Sequence, residues 1–143
     1  MIALLDVNVL IALVDTNHVH HAPASRFFPQ AQLHGWATCP MSENGFLRIL
    51  GRLGTDPGPE SPTSARTLLQ SLLSRPGHQF WPDDLSLADT RLFPRLPPSK
   101  HLTDIYLLGL AVKHGGRLAT FDTGIDATLI SGGPAAYYLI PTA

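Results

Sequence analysis

Ile2-Ala3-Leu4-Leu5-Asp6-Val7-Asn8-Val9-Leu10-Ile11 is an apolar stretch with one carboxylate, Asp6, set in its middle. Residues 2–5 form a short continuous apolar run, the pattern of a strand buried on both faces in a parallel sheet. Residues 7–14 stay apolar, with Asn8 the one strongly polar residue among them, so strand passes into helix at about Asp6. A carboxylate flanked on both sides by apolar residues is expensive unless something partners it. Asp6 is therefore the first candidate functional residue.

The rest of the chain repeats the alternation. Residues 21–33 read as a helix with Pro23 near its first turn, and Trp36–Thr38 as a second strand. Pro40 and Ser42 open a helix whose stripe of Phe46, Leu47, Ile49, Leu50 and Leu53 ends at Gly54. Residues 55–62 read as a Pro/Gly loop, 64–73 as an amphipathic helix stopped by Pro76-Gly77, and Phe80-Trp81 as a third strand. A short helix is predicted over 85–92 and a proline-rich loop over 94–100. Thr103 is placed to cap a nearly all-apolar helix that ends at Gly115-Gly116. Residues 117–120 form a strand delivering Phe121 and Asp122, and 137–140 a last strand. Strands alternating with helices predict an α/β chain with a largely parallel sheet, and 143 residues suit a single domain spanning 1–143.

Composition agrees with a compact globule, 44% of the residues being hydrophobic and 15% charged. One cysteine, Cys39, cannot form an internal bridge and reads as a buried thiol rather than a nucleophile. The start of the chain lacks a basic stretch, and no apolar run is long enough to span a bilayer. The expectation is a soluble cytoplasmic chain without a membrane partner. A net charge of −1 does not advertise a nucleic-acid binder.

Asp6 and Asp122 each end a predicted buried strand, on the edge where open parallel sheets bind ligands. Glu43 and Asp104 each lie in the first turn of a helix, and such helix starts face the same edge. Four acids from distant parts of the chain can thus converge on one pocket. Two carboxylates about 5 Å apart repel by about 3 kcal/mol at an effective dielectric near 20. A hard divalent cation removes that cost, and oxygen ligands select Mg2+, with Mn2+ as a substitute, over zinc. Metals so held assist phosphodiester hydrolysis. The bland alternative for each acid is a turn former or a helix-dipole partner.

Four motifs in order raise the joint reading. Leu4-Leu5-Asp6-Val7-Asn8-Val9-Leu10-Ile11 resembles the first motif of PIN-domain nucleases, in particular the VapC toxins of bacterial toxin–antitoxin systems. Ser42-Glu43 through Arg48 resembles the second acidic motif. Leu102-Thr103-Asp104-Ile105-Tyr106-Leu107, followed by Ala111 and Gly115, resembles the third, and Leu118-Ala119-Thr120-Phe121-Asp122 the fourth. The resemblance covers nearly the whole chain and implies a three-layer α/β/α fold with a central, mainly parallel sheet. It also implies an Mg2+-dependent endoribonuclease acting on structured RNA such as tRNA or rRNA, a homodimer, and a VapB-like antitoxin seated in the active-site groove. By motif position Asp6, Glu43, Asp104 and Asp122 would be the metal-site acids, and Asn8 and Thr120 would orient them through hydrogen bonds. The stretch Thr123-Gly124-Ile125-Asp126 lacks the basic residue many relatives carry there. Asp126 is a candidate auxiliary acid, with a plain helix start preferred.

Three further features are weighed. His18, His20 and His21 invite a zinc site but lack a matching further ligand, so a solvated loop is preferred. Arg48 and Arg52, four apart on the predicted helix, offer either a solvated face or a phosphate clamp, and Arg48 is the candidate RNA contact. Once the four acids are set aside in a pocket, the remaining surface carries an excess of about three positive charges, which predicts weak nonspecific RNA affinity. Two rival functions remain. A haloacid-dehalogenase-like phosphatase also begins with an Asp after a first strand, but Asn8 cannot serve as its general acid. A non-catalytic PIN-like interaction module would be expected to have lost acids that are all present here.

Overall fold

The first strand is bound on both sides, so its residues face no solvent. In the computed structural model, which describes residues 1–54 and 58–143, β1 (Ala3–Leu5) lies between β2 (Trp36–Thr38) and β4 (Arg117–Thr120). β3 (His78–Phe80) and β5 (Tyr137–Leu139) form the edges, giving the order β3-β2-β1-β4-β5 with every pair parallel. The chain runs outward from β1 through β2 to β3, then returns to the other side of β1 for β4 and β5. The strand order reverses between β1 and β4. A crevice opens at such a reversal, outside the carboxyl ends of the strands.

Helices cover both faces. On one, Leu5 and Trp36 pack with residues of α1 (Val7–Val14), α2 (His21–His34), α3 (Pro40–Leu50) and α4 (Pro62–Leu73). On the other, Leu4, Ala37 and Leu118 pack against α5 (Leu102–Lys113) and α6 (Gly133–Ala136). Alternation along β1, with Leu4 on one face and Leu5 on the other, follows from the two-residue period of a strand. α5 carries seven consecutive buried residues, from Ile105 to Ala111, which explains its all-round apolar sequence. A Cβ at Gly45 would come 2.7 Å from Val7 Cγ2. Glycine there lets α3 sit directly on the first turn of α1.

Several expectations are corrected. No helix forms over 85–92, where the chain makes turns. Ser86 Oγ accepts from Ala88 N, and Asp89 Oδ1 accepts from Arg91 N, so side chains compete with the helical ladder. Thr103 does not cap α5, because a 3-10 turn at Ser99–His101 precedes the helix and puts His101 at the cap position. α3 stops at Leu50, so the stripe does not run to Gly54. Ile49 is 40% exposed and Leu53 73% exposed, so these two are not core. β3 begins at His78, and Trp81 is buried just after it. α4 starts two residues early, where Ser61 and Ser64 bond each other's backbone N–H in a reciprocal cap. The loop expected over 55–62 falls partly on 55–57, outside the described residues. α6 and a 3-10 turn at Ala127–Leu129 were not anticipated. Among the described residues no helix is long and apolar enough to cross a membrane.

Candidate active site

The reversal between β1 and β4 fixes where the first acid goes. The ladder continues one step past β1, with Asp6 N donating to Ala119 O at 3.0 Å. Asp6 then caps α1, its Oδ1 accepting from Val7 N at 2.7 Å, where the helix dipole favours a negative charge. Its other oxygen accepts from the Thr120 hydroxyl at 2.7 Å. Thr120 is fully buried and Asp6 is 5% exposed. Thr120 Oγ1 also accepts from Asn8 Nδ2 at 3.3 Å and from Asp122 N at 3.0 Å. Asn8 Oδ1 in turn accepts from Phe121 N at 3.3 Å. Asn8 and Thr120 thus stitch the end of β4 to the start of α1.

Asp122 follows on the turn after β4. Its Oδ1 accepts from Gly124 N at 2.7 Å, and its backbone carbonyl accepts a short hydrogen bond from the Tyr137 hydroxyl. Asp104, in the first turn of α5, meets His101 Nδ1 through Oδ2 at 3.1 Å. Ligand atoms of His101, Asp104 and Asp122 all lie within 4.8 Å of one another. Among the described residues this is the one group of three such side chains close enough to share an ion.

The charges feel each other. Burial pushes the Asp6 carboxyl up from 3.8 to about 6, against the Thr120 hydrogen bond, and the charges of Asp104 and Asp122 push the same way. Asp104 is also raised, by burial first, with His101 opposing and Asp122 adding to the rise. Burial and the same two aspartates raise the Tyr137 phenol. Carboxylates raised together form a site that takes up positive charge, as a proton or as a cation.

Glu43 is aimed differently. It accepts from the Thr38 hydroxyl at 2.7 Å, and Thr38 Oγ1 lies 2.7 Å from His78 Nε2 as well. It stands over the end of β2 and, like Asp6, does not join the close set of His101, Asp104 and Asp122. Asp126 is exposed and caps the 3-10 turn at Ala127–Leu129, accepting from Thr128 N at 3.1 Å. The Thr128 hydroxyl, which also donates to it, and then the Thr128 backbone N–H hold its carboxyl below the usual range.

A cavity of about 810 Å3 opens beside the acids, lined by Asp6, Asn8 and Asp104, by Asp15 and Arg52, and by Ile11, Leu50, Leu53 and Leu68. Arg52 lies beyond the end of α3, so it does not share a helix with Arg48, which is exposed on the last turn. The three histidines are occupied separately. His18 Nδ1 accepts from His20 N, His20 stacks on Phe121, and His21 Nδ1 meets Ala12 O. Cys39 is buried, and burial raises its thiol to about 11, the inert state expected of it.

Sequence reasoning missed His101 and Tyr137. His101 stands just after the stretch read as a proline-rich loop over 94–100, and only its position three residues before Asp104 could have flagged it. Tyr137 is fifteen residues beyond Asp122, and no local pattern marks it.

A family model described as PIN domain matches residues 3–128. The chain is 44% identical over 134 residues to the ribonuclease VapC39 of Mycobacterium tuberculosis, spanning 92% of this chain and 96% of that protein. It is 41% identical to the ribonuclease VapC44 of the same organism, over 92% of this chain and 94% of that one. To the ribonuclease VapC38 it is 42% identical, over 86% of both. Among solved structures, the crystal structure of VapBC2 from Rickettsia felis, bound to a DNA fragment from its promoter, has a similar fold. The TM-score is 0.58 at 10% identity, over 85% of this chain and 89% of that one.

Proposed function

The chain belongs to the PIN-domain family, and from that footing we propose that it is a divalent-metal-dependent endoribonuclease, the toxin of a VapBC-type pair. The observation that carries the proposal is the close approach of Asp104 and Asp122 beside His101, with Asp6 lining the same cavity as Asp104 and its carboxyl raised by burial first and then by the charges of both aspartates. Relatives over 40% identical along most of the chain are named ribonucleases, which supports RNA as the substrate. Phosphatase chemistry loses its footing, because Asn8 is committed to Thr120 and the backbone of Phe121.

Asp6, Asp104 and Asp122 would hold the ion, Mg2+ or Mn2+, with Glu43 reaching it from the end of β2. Oxygen donors suit these ions, and the raised carboxyls fit a site that gains by taking up a cation. A divalent ion here would polarise the scissile phosphate and make water a better nucleophile. The chain's own residues do the positioning. Thr120 holds one oxygen of Asp6, and Gly124 N holds one oxygen of Asp122. Because these bonds exist before substrate arrives, the carboxylates need little rearrangement when charge develops. Asn8 fixes the Thr120 hydroxyl from behind.

Arg52 in the cavity wall, with Arg48 at the rim, would meet RNA phosphates, and structured RNA such as tRNA or rRNA is the expected target. A VapB-like antitoxin would occupy the same apolar cavity and block the acids. A homodimer in the cytoplasm is the expected state, checked by sedimentation of the purified chain. The deciding experiment is cleavage of total RNA by the chain freed of any partner. Mg2+- or Mn2+-dependent cleavage that Asp6→Asn or Asp104→Asn abolishes, with folding intact, is the expected result. No cleavage with either ion would leave a non-catalytic module.

A further inference from the structure

We propose that His101 is a nitrogen ligand of the divalent-ion site and biases it toward Mn2+ over Mg2+. The inference rests on the metal-dependent reading above and concerns a residue outside the acidic motifs.

His101 occupies the cap position of α5, yet its side chain makes no capping hydrogen bond. Its ring turns instead to Asp104, with Nδ1 3.1 Å from Oδ2. Two ligand atoms at right angles on one ion, each about 2.1 Å from it, would lie about 3 Å apart. The observed separation is that of neighbouring ligands as much as of a hydrogen bond. The Asp122 carboxylate completes the set within 4.8 Å. His101 and Asp104 are 22% and 16% exposed, so an ion can enter while bulk water is largely shut out.

Gly124 keeps this corner open. A Cβ there would come 3.3 Å from Asp122 Oδ1 and 3.4 Å from His101 Cε1. A side chain would crowd the space between imidazole and carboxylate. An ion entering here displaces the Nδ1 proton that faces Asp104, and the imidazole, with its proton on Nε2, then presents the Nδ1 lone pair to the ion. Mg2+ strongly prefers oxygen, whereas imidazole suits the first-row transition ions and raises affinity along that series. A mixed nitrogen and carboxylate set therefore discriminates between two ions that an all-carboxylate set would treat more alike.

The test uses the full chain freed of any partner and loaded with Mn2+. Electron spin echo modulation reads a directly bonded 14N, and calorimetry gives Mn2+ and Mg2+ affinities. The parent is expected to show the nitrogen coupling, and His101→Asn, which keeps a hydrogen-bond donor near Asp104, to lose it. That variant should bind Mn2+ about tenfold or more weakly, the usual scale for losing a group that supports a metal, with Mg2+ affinity changed much less. Mn2+ binding without nitrogen coupling, or equal losses for both ions, overturns the assignment and makes His101 a positioning residue for Asp104. Absence of Mn2+ binding to the parent would instead overturn the metal-dependent reading itself, and this inference with it.

Discussion

The Thr120 hydroxyl donates to Asp6 Oδ2 over 2.7 Å, tying the carboxyl end of β4 to that of β1. The same oxygen accepts from Asn8 and from the backbone of Asp122, so one buried hydroxyl organises three groups of the site. Thr120→Val keeps the shape and strands all three. Leaving buried polar groups unpaired costs about 1–3 kcal/mol each before relaxation, and water can still reach some of them. We expect a stability loss of about 2–3 kcal/mol by urea unfolding and cleavage slowed about 10- to 100-fold. Thr120→Ser should recover most of both. A Val variant as fast and as stable as the parent would remove Thr120 from the positioning scheme.

The Asp6 carboxyl gives the metal-free chain a pH dependence of defined sign. Folding raises it from 3.8 to about 6, so the folded state prefers the protonated form. Its contribution is complete below the unfolded value and is lost as pH rises through about 6. The size is roughly 3 kcal/mol, at 1.36 kcal/mol for each tenfold change in proton affinity. Asp104 is raised as well and adds in the same direction. Urea midpoints of the metal-free chain should therefore fall between about pH 4 and pH 7, and Asp6→Asn should flatten much of that fall. Added Mg2+ or Mn2+ should restore stability at the upper end, since an ion that binds only the folded state stabilises it. A parent and an Asp6→Asn variant with parallel pH profiles would contradict the raised carboxyl.

Much of this was legible in the sequence because strand ends and helix starts are local signals. Asp6 and Asp122 stand directly after apolar runs, and those runs proved to be β1 and β4. The parallel sheet followed from runs buried on both faces. What was missed depends on distant partners. The 85–92 segment has a helical pattern, but Ser86 and Asp89 bond their own backbone, while Tyr106 reaches across to the main chain at Leu85. Thr103 looked like a cap because the 3-10 turn ahead of α5 is not marked by composition. Ile49 and Leu53 looked like core because periodicity identifies a face but not what covers it. Leu53 instead helps line the cavity beside the acids.

Glu43 is the acid whose role the geometry sets apart. The Thr38 hydroxyl has one proton, so in donating to Glu43 Oε2 it must accept from His78 Nε2. Thr38 is fully buried and His78 rests against Trp36, so Glu43 is braced from β2 and β3. Held there, on the metal-dependent reading it would act on an ion from outside the close set of His101, Asp104 and Asp122. Glu43→Gln and Thr38→Val should each slow single-turnover cleavage about tenfold, against more than about a hundredfold for Asp104→Asn. A Glu43→Gln variant as damaged as Asp104→Asn would move Glu43 into direct contact with the ion.

The two arginines divide by position. Arg52 lines the cavity together with Asp6 and Asp104, whereas Arg48 is exposed on the last turn of α3. A cation in the cavity wall meets phosphate wherever RNA approaches the acids, while one at the rim is screened by salt within about a Debye length. Each phosphate contact on a single strand contributes about 0.7 to the slope of log binding constant against log salt. In an Asp104→Asn background, expected to leave RNA uncut, Arg52→Ala should lower that slope by about 0.7. Arg48→Ala should lower it by less. Fluorescence anisotropy with a labelled RNA over a range of salt measures both. If Arg48→Ala gives the larger change, RNA crosses the rim over α3 rather than the cavity.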